Sequence, residues 1–160
     1  MPAKGPPMLD SADLESRLQP ILDAHRGMEG SLLPILHAVQ EVFGHVPEAA
    51  LPMIAADLGI SKAEAHGVMT FYHDFRARPA GRHVLKLCRA EACQTMGADA
   101  LADAVKAKLG LDWHETSADG AVTLEPVFCL GLCACGPAAM VDGQLVGRAG
   151  ADALVAKVKA

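Results

Sequence analysis

The hydrophobic period of this chain changes once, and that change limits its possible folds more than any other feature. Over residues 13–76 apolar side chains recur three or four positions apart, the spacing of one helix face. After Gly81 they alternate or form short runs bounded by turn residues. Between these stretches Ala77-Arg78-Pro79-Ala80-Gly81 breaks both patterns. A chain written in two periods suits neither one helical bundle nor one β-sandwich throughout. The expectation is a small helical bundle over residues 13–80 and an α/β domain with a mixed sheet over 81–160, after a flexible tail at 1–12.

In the first half, Asp10 or Ser11 can cap a helix carrying Leu14, Leu18, Ile21 and Leu22 as far as Arg26. Gly30-Ser31 opens a second, with Pro34 tolerated in its first turn, and Gly44 ends it. A third runs from Glu48 to Leu58. Ser61 and Glu64 form a capping box for a fourth that continues towards Tyr72. Such short helices need one another's apolar faces, so they should pack as an antiparallel set. Residues 54–68 have the outline of a helix-turn-helix, but from Ile54 to Arg78 the acids Asp57, Glu64 and Asp74 balance Lys62, Arg76 and Arg78. That leaves no positive excess for phosphate, and helix packing is the preferred reading. Phe71, Tyr72 and Phe75 are expected to pack this domain or meet a partner subunit.

In the second half, residues 83–88 (HVLKLC) read as a strand and residues 100–110 as an amphipathic helix ended by Gly110. Residues 121–128 follow the Asp119-Gly120 turn as one strand, or as two interrupted by Pro126. Asp142-Gly143 between apolar runs is a hairpin signature, and residues 151–159 close the chain as a helix.

Hydrophobic residues make up 51% of the chain and charged residues 21%, which excludes general disorder; the formal charge of −5 argues against a nucleic-acid surface spread over the molecule. No apolar stretch approaches the roughly 20 residues of a membrane span, and the first ten residues hold no signal-peptide core. A cytoplasmic protein is expected. In that compartment five cysteines are an odd number for a disulfide framework, and metal or cluster ligation becomes the leading question.

The cysteines fall into two groups. Cys88 and Cys93 are separated by four residues, and Cys129 and Cys133 by three, with Cys135 just beyond. Each group follows the end of an expected strand. If those strands are neighbours in one sheet, both loops emerge at one edge and four sulfurs can converge. Gly97, Gly131 and Gly136 allow tight turning around a ligand. Four thiolates around two irons make a [2Fe–2S] centre; four around one ion make a structural zinc site, and spacing leaves both open. For iron, the oxidised centre carries two negative charges and one-electron reduction adds a third. An acidic chain with Phe128, Leu130 and Leu132 beside it disfavours that charge, so a low potential is expected, with Arg89 the nearest offsetting cation in sequence. Cys135 reads as a buried bystander, available should Cys133 be lost. The seven histidines, among them His37, His45, His66 and His73, show no HExxH-like pattern. Neither a G-x-G-x-x-G nor a Walker A segment is present.

Taken together, HVLKLCRAEACQTMGADAL and ETSADGAVTLEPVFCLGLCACGPAAMVDGQLVGR resemble the thioredoxin-like [2Fe–2S] subunit family, which includes the 24-kDa-type subunit of complex I and subunits of NAD-linked hydrogenases and formate dehydrogenases. GSLLPILHAVQEVFGHVP and GVMTFYHDF resemble the family's preceding helical domain. The resemblance implies a thioredoxin-like fold and a cluster held by Cys88, Cys93, Cys129 and Cys133. CRAEAC and CLGLCACGPA are most similar to the gamma subunit of the soluble, NAD-dependent, molybdenum-containing formate dehydrogenase; Arg89 and Cys135 are where the chain departs from complex I members. The resemblance further implies an electron-transfer subunit with no substrate chemistry of its own. Its partners would be a subunit carrying flavin mononucleotide, a [4Fe–4S] centre and the NAD site, and a catalytic subunit with molybdenum bis-pterin guanine dinucleotide and further [4Fe–4S] clusters. The equivalent subunit of an NAD-reducing hydrogenase or of NADH:quinone oxidoreductase is the alternative.

Overall fold

The computed structural model describes residues 10–159, and the chain divides into two units between Pro79 and Ala80. Residues 1–9, most of the expected tail, lie outside the described residues, and the first helix starts within the remainder of that segment.

The first unit is helical: α1 (Ser11–Ala24), α2 (Leu32–Phe43), α3 (Leu51–Leu58) and α4 (Lys62–Phe71). The stripe expected on α1 is the stripe that is buried, namely Leu14, Leu18, Ile21 and Leu22. It meets Ile35, Leu36 and Val39 of α2, Leu51 and Ile54 of α3, and Ala65 and Met69 of α4 in one apolar core. Each large aliphatic side chain fully buried there contributes about 1.5–3 kcal/mol. Residues 48–50 form a single 3-10 turn rather than the first turn of α3. Both halves of the capping box on α4 are made: the Glu64 N–H donates to Ser61 Oγ at 3.2 Å, and the Ser61 N–H donates to Glu64 Oε2 at 2.8 Å. The aromatic trio stays in contact, with ring centres 5.1 Å apart for Phe71 and Tyr72 and 6.2 Å for Tyr72 and Phe75, but differs in exposure. Phe75 is buried and lies 4.9 Å from the His37 ring, while Phe71 is 72% exposed.

The second unit is an α/β fold built on a mixed five-stranded sheet. Its strands are β1 (His83–Cys88), β2 (Glu115–Thr116), β3 (Val122–Val127), β4 (Ala139–Val141) and β5 (Gln144–Val146), in the order β2-β3-β1-β4-β5. β1 and β3 are parallel and the other neighbours antiparallel. Three helices complete it: α5 (Glu91–Thr95), α6 (Ala98–Leu109) and α7 (Ala151–Lys159). Leu85, Leu87 and Leu124 pack with Leu101 and Val105 of α6 and with Leu154 and Val158 of α7.

Two details differ from the sequence reading. β2 has only two residues, too few to show a period. β3 runs unbroken through Pro126, because β2 pairs only with Thr123 and Leu124, and beyond them a missing N–H costs no ladder bond on that side. The expected hairpin joins β4 to β5, with Asp142 at φ 49° and Gly143 at φ 81°, the two left-handed residues of a type I′ turn. Among the described residues no helix is long and apolar enough to cross a membrane.

Candidate metal centre

Strand register brings the two cysteine loops together. Cys88, the last residue of β1, pairs with Val127, the last residue of the parallel β3. Both chains therefore leave the sheet at the same edge, and the Arg89 N–H donates to the Val127 carbonyl at 2.7 Å to extend the ladder once more. After β1, Ala90 is extended and the chain turns into α5, where the Cys93 N–H donates to the Ala90 carbonyl at 2.9 Å. After β3 the path is tighter. Cys129 adopts φ 82°, a left-handed conformation that costs a non-glycine residue energy and aims its side chain away from the strand direction. Gly131 at φ 76° completes the reversal before a 3-10 turn over Cys133–Cys135.

All five thiols are free, and they differ in exposure. Cys88 and Cys93 are each 1% exposed, within a small cluster with Ala98 and Ala138, whereas Cys129 and Cys133 face solvent. The sulfurs meet in pairs: Cys88 hydrogen-bonds with Cys93, and Cys129 with Cys133. The pairs also sense each other's charge, Cys133 interacting with both Cys88 and Cys93.

Main-chain donors surround the first pair. Burial pushes the Cys88 thiol up, but N–H groups of Ala90, Cys129 and Leu130, together with the Cys93 thiol, outweigh burial and hold it below the ordinary range. Burial and then the Cys88 contact push Cys93 up, against one opposing N–H from Ala138. Cys133 is pushed up by its hydrogen bond with Cys129 and by the charge beside it. The fold thus already stabilises negative charge on one sulfur, with three of its four donors being backbone amides.

Other residues singled out from sequence take different places. The Arg89 guanidinium pairs with Asp99 at 3.0 Å and lies 5.5 Å from the Trp113 ring centre, so its charge is spent on Asp99. Cys135 is partly exposed rather than buried, with its Cβ against Gly147, where any side chain on Gly147 would come within 2.9 Å of it. Gly136 serves packing: a Cβ there would meet Met96 at 3.1 Å. Phe128 projects 75% exposed beside the second pair.

A family profile described as thioredoxin-like [2Fe–2S] ferredoxin matches residues 18–160, nearly the whole chain. The chain belongs to the thioredoxin-like [2Fe–2S] ferredoxin family. It is 36% identical to an NADH-quinone oxidoreductase subunit of Pseudomonas aeruginosa over 125 residues, which are 78% of this chain and 75% of that protein. The match to the corresponding Mycobacterium tuberculosis protein is 36% over 133 residues, 83% of this chain and 53% of that protein, so the ferredoxin-family chain spans about half the length of that relative. It is also 33% identical over 120 residues to the NADP-reducing hydrogenase subunit HndA of Solidesulfovibrio fructosivorans, covering 75% of this chain and 70% of that one. Among solved structures, an NAD+-reducing [NiFe]-hydrogenase in the air-oxidised state superposes with a TM-score of 0.67 at 22% identity over 81% of this chain and 22% of that one, a likeness of fold.

In this ferredoxin domain the main-chain donors at Ala90, Leu130 and Ala138 carry no mark in the sequence. Every residue but proline supplies an N–H, so no residue type marks them. The available signal was indirect: a strand ending on a cysteine with a short turn after it.

Proposed function

We propose that this chain is an electron-transfer subunit holding one [2Fe–2S] cluster on Cys88, Cys93, Cys129 and Cys133. The observation that carries the reading is the parallel register of β1 and β3, which brings both cysteine loops to one sheet edge with a contact inside each cysteine pair. Two thiolates for each of two irons is the arrangement such a centre requires. What favours iron over a four-thiolate zinc site is the matched family, described as a [2Fe–2S] ferredoxin. The donor chemistry supports the same choice, since backbone N–H groups aimed at sulfur stabilise a centre that gains negative charge on reduction.

When bound, the cluster supplies one-electron storage. The chain's own residues do the rest. Cys88 and Cys93 anchor it within the domain, the N–H groups of Ala90, Cys129, Leu130 and Ala138 offset charge, and the exposed Phe128 and Cys129 form the side on which a partner can approach. With no nucleotide motif in the sequence, the two-electron chemistry of NAD belongs to that partner, a flavin- and NAD-binding subunit. The names of the relatives favour a complex of the NADH-quinone oxidoreductase or NAD-reducing hydrogenase kind. A molybdenum-dependent formate dehydrogenase is the second reading, favoured by Arg89 and Cys135 in CRAEAC and CLGLCACGPA.

Anaerobic reconstitution of the full chain with iron and sulfide tests the first claim. The expected product contains two irons per chain, absorbs in the visible and gives an EPR signal on reduction; an iron-free, colourless chain refutes it. Copurification from cells decides the parent complex, since a molybdenum-containing subunit in the isolated assembly selects the formate reading and a nickel-containing one the hydrogenase reading.

A further inference from the structure

Arg89 follows the first cysteine, and every part of it is tied down. Its N–H donates to the Val127 carbonyl at 2.7 Å, and its own carbonyl accepts from Gln94 Nε2 at 2.8 Å. Its guanidinium meets Asp99 Oδ1 at 3.0 Å and lies 5.5 Å from the centre of the Trp113 ring. Trp113 is held in turn: Lys106 Nζ lies 4.3 Å from the same ring centre and pairs with Asp112, whose carboxylate also accepts the main-chain N–H of Trp113 at 2.7 Å. One residue thus links the end of β1, the start of α6 and the loop after it. Immediately beside it stand Cys88 and Ala90, the latter donating its N–H to the Cys88 sulfur.

From this geometry we propose that Arg89 is a positioning residue: clamped by Asp99 and Trp113, it fixes the turn over residues 88–90 so that the Ala90 N–H stays on the Cys88 sulfur and raises the reduction potential of the bound cluster. The assignment rests on the reading of Cys88 as a cluster ligand. A donor aimed at a ligand sulfur favours the reduced, more negative form, so the potential falls when that donor drifts. Direct action of the Arg89 charge is the competing explanation. Asp99 at 3.0 Å makes the pair neutral overall, which leaves only a weak dipolar field at the sulfurs.

The test uses the full chain reconstituted with iron and sulfide, in three forms: wild type, Arg89→Lys, and the charge-neutral double variant Arg89→Met with Asp99→Asn. Iron content and visible absorption establish loading, and fluorescence of the single tryptophan reports release of the clamp. Redox titration then gives the midpoint potential, and hyperfine spectroscopy of the reduced state reports exchangeable protons coupled to the cluster. Both variants are expected to load fully, to titrate at more negative potential than wild type, and to lose one strongly coupled exchangeable proton. The assignment is overturned if the double variant titrates with wild type, as a purely through-space charge effect requires, or if the proton coupling is unchanged. Variants that fold but cannot load beside a loaded wild type overturn it as well, because it concerns tuning and not assembly. An unloaded wild type instead removes the cluster reading itself, so the two failures are distinguishable.

Discussion

Cys88 and Cys93 belong to the folded interior: one ends a central strand, the other sits in a helix, and both are 1% exposed. Cys129 and Cys133 lie on an exposed loop that leaves the neighbouring strand through a left-handed residue. N–H donors to Cys88 come from its own turn, at Ala90, and from the opposite loop, at Cys129 and Leu130. The buried pair is therefore placed by packing around β1 and α5, while the exposed pair lies on a loop held through Leu130 and Leu132 and by the bond from the Arg148 N–H to the Cys135 carbonyl. One half of the candidate site is set in the interior and the other faces solvent.

The largest expected effect comes from the sulfurs themselves. Cys88→Ser and Cys93→Ser should each leave at least about tenfold less iron after desalting, because the rigid half cannot move to accommodate a poorer ligand. Cys129→Ser and Cys133→Ser should retain a cluster with altered absorption, since an exposed loop can adjust, and at Cys133 a further thiol, Cys135, lies within the same 3-10 turn. Iron analysis with visible spectra measures both, and equal losses at all four positions would erase the distinction.

Metal removal gives the next largest contrast. Chelation should accelerate amide exchange over residues 128–135 by about an order of magnitude or more, as expected of a loop with few buried contacts. Amides of Leu85 and Leu87 in β1 should be unaffected, and exchange mass spectrometry resolves the two segments. Gly131→Ala tests the loop more gently. An L-residue at φ 76° costs about 1 kcal/mol, which should slow cluster assembly while leaving thermal unfolding of the domain nearly unchanged.

The smallest effect concerns the end of β1 opposite Cys88. Asp142 accepts the Val84 N–H at 2.8 Å and meets His83 Nδ1 at 2.7 Å, fastening the β4–β5 hairpin to β1. Burial pushes its carboxyl up, but the His83 hydrogen bond and the Val84 N–H outweigh burial and hold it below the usual carboxylate range. A lowered carboxyl stabilises the fold above its unfolded value, roughly pH 3.9, and the contribution disappears as pH falls through the folded value. Asp142→Asn, which still suits the left-handed turn, should lower the urea midpoint at pH 7, and the difference from wild type should vanish well below pH 4.

Local features of the chain were the most readable. The capping box at Ser61 and Glu64, the hydrophobic stripe of α1 and the Asp142-Gly143 hairpin each depend on residues within a few positions of one another, so sequence spacing and spatial spacing coincide. The two-residue β2 gave no period to read, and Pro126 suggested a break that an unpaired strand side makes unnecessary. Arg89 illustrates the other limit: adjacency to Cys88 suggested a cation beside the sulfurs, yet its side chain reaches Asp99, ten residues away.

Residue order alone determined that a helical segment would be followed by an α/β one and that the cysteines would form two groups after strands, because periodicity and turn chemistry act over short separations. Only the tertiary structure decided that β1 and β3 are parallel neighbours, that one pair of thiols is buried and the other exposed, and which amides face the sulfurs. Strand pairing joins residues tens of positions apart, and backbone N–H groups are nearly the same at every residue. Their direction is a property of the folded path, not of the amino acids that follow it.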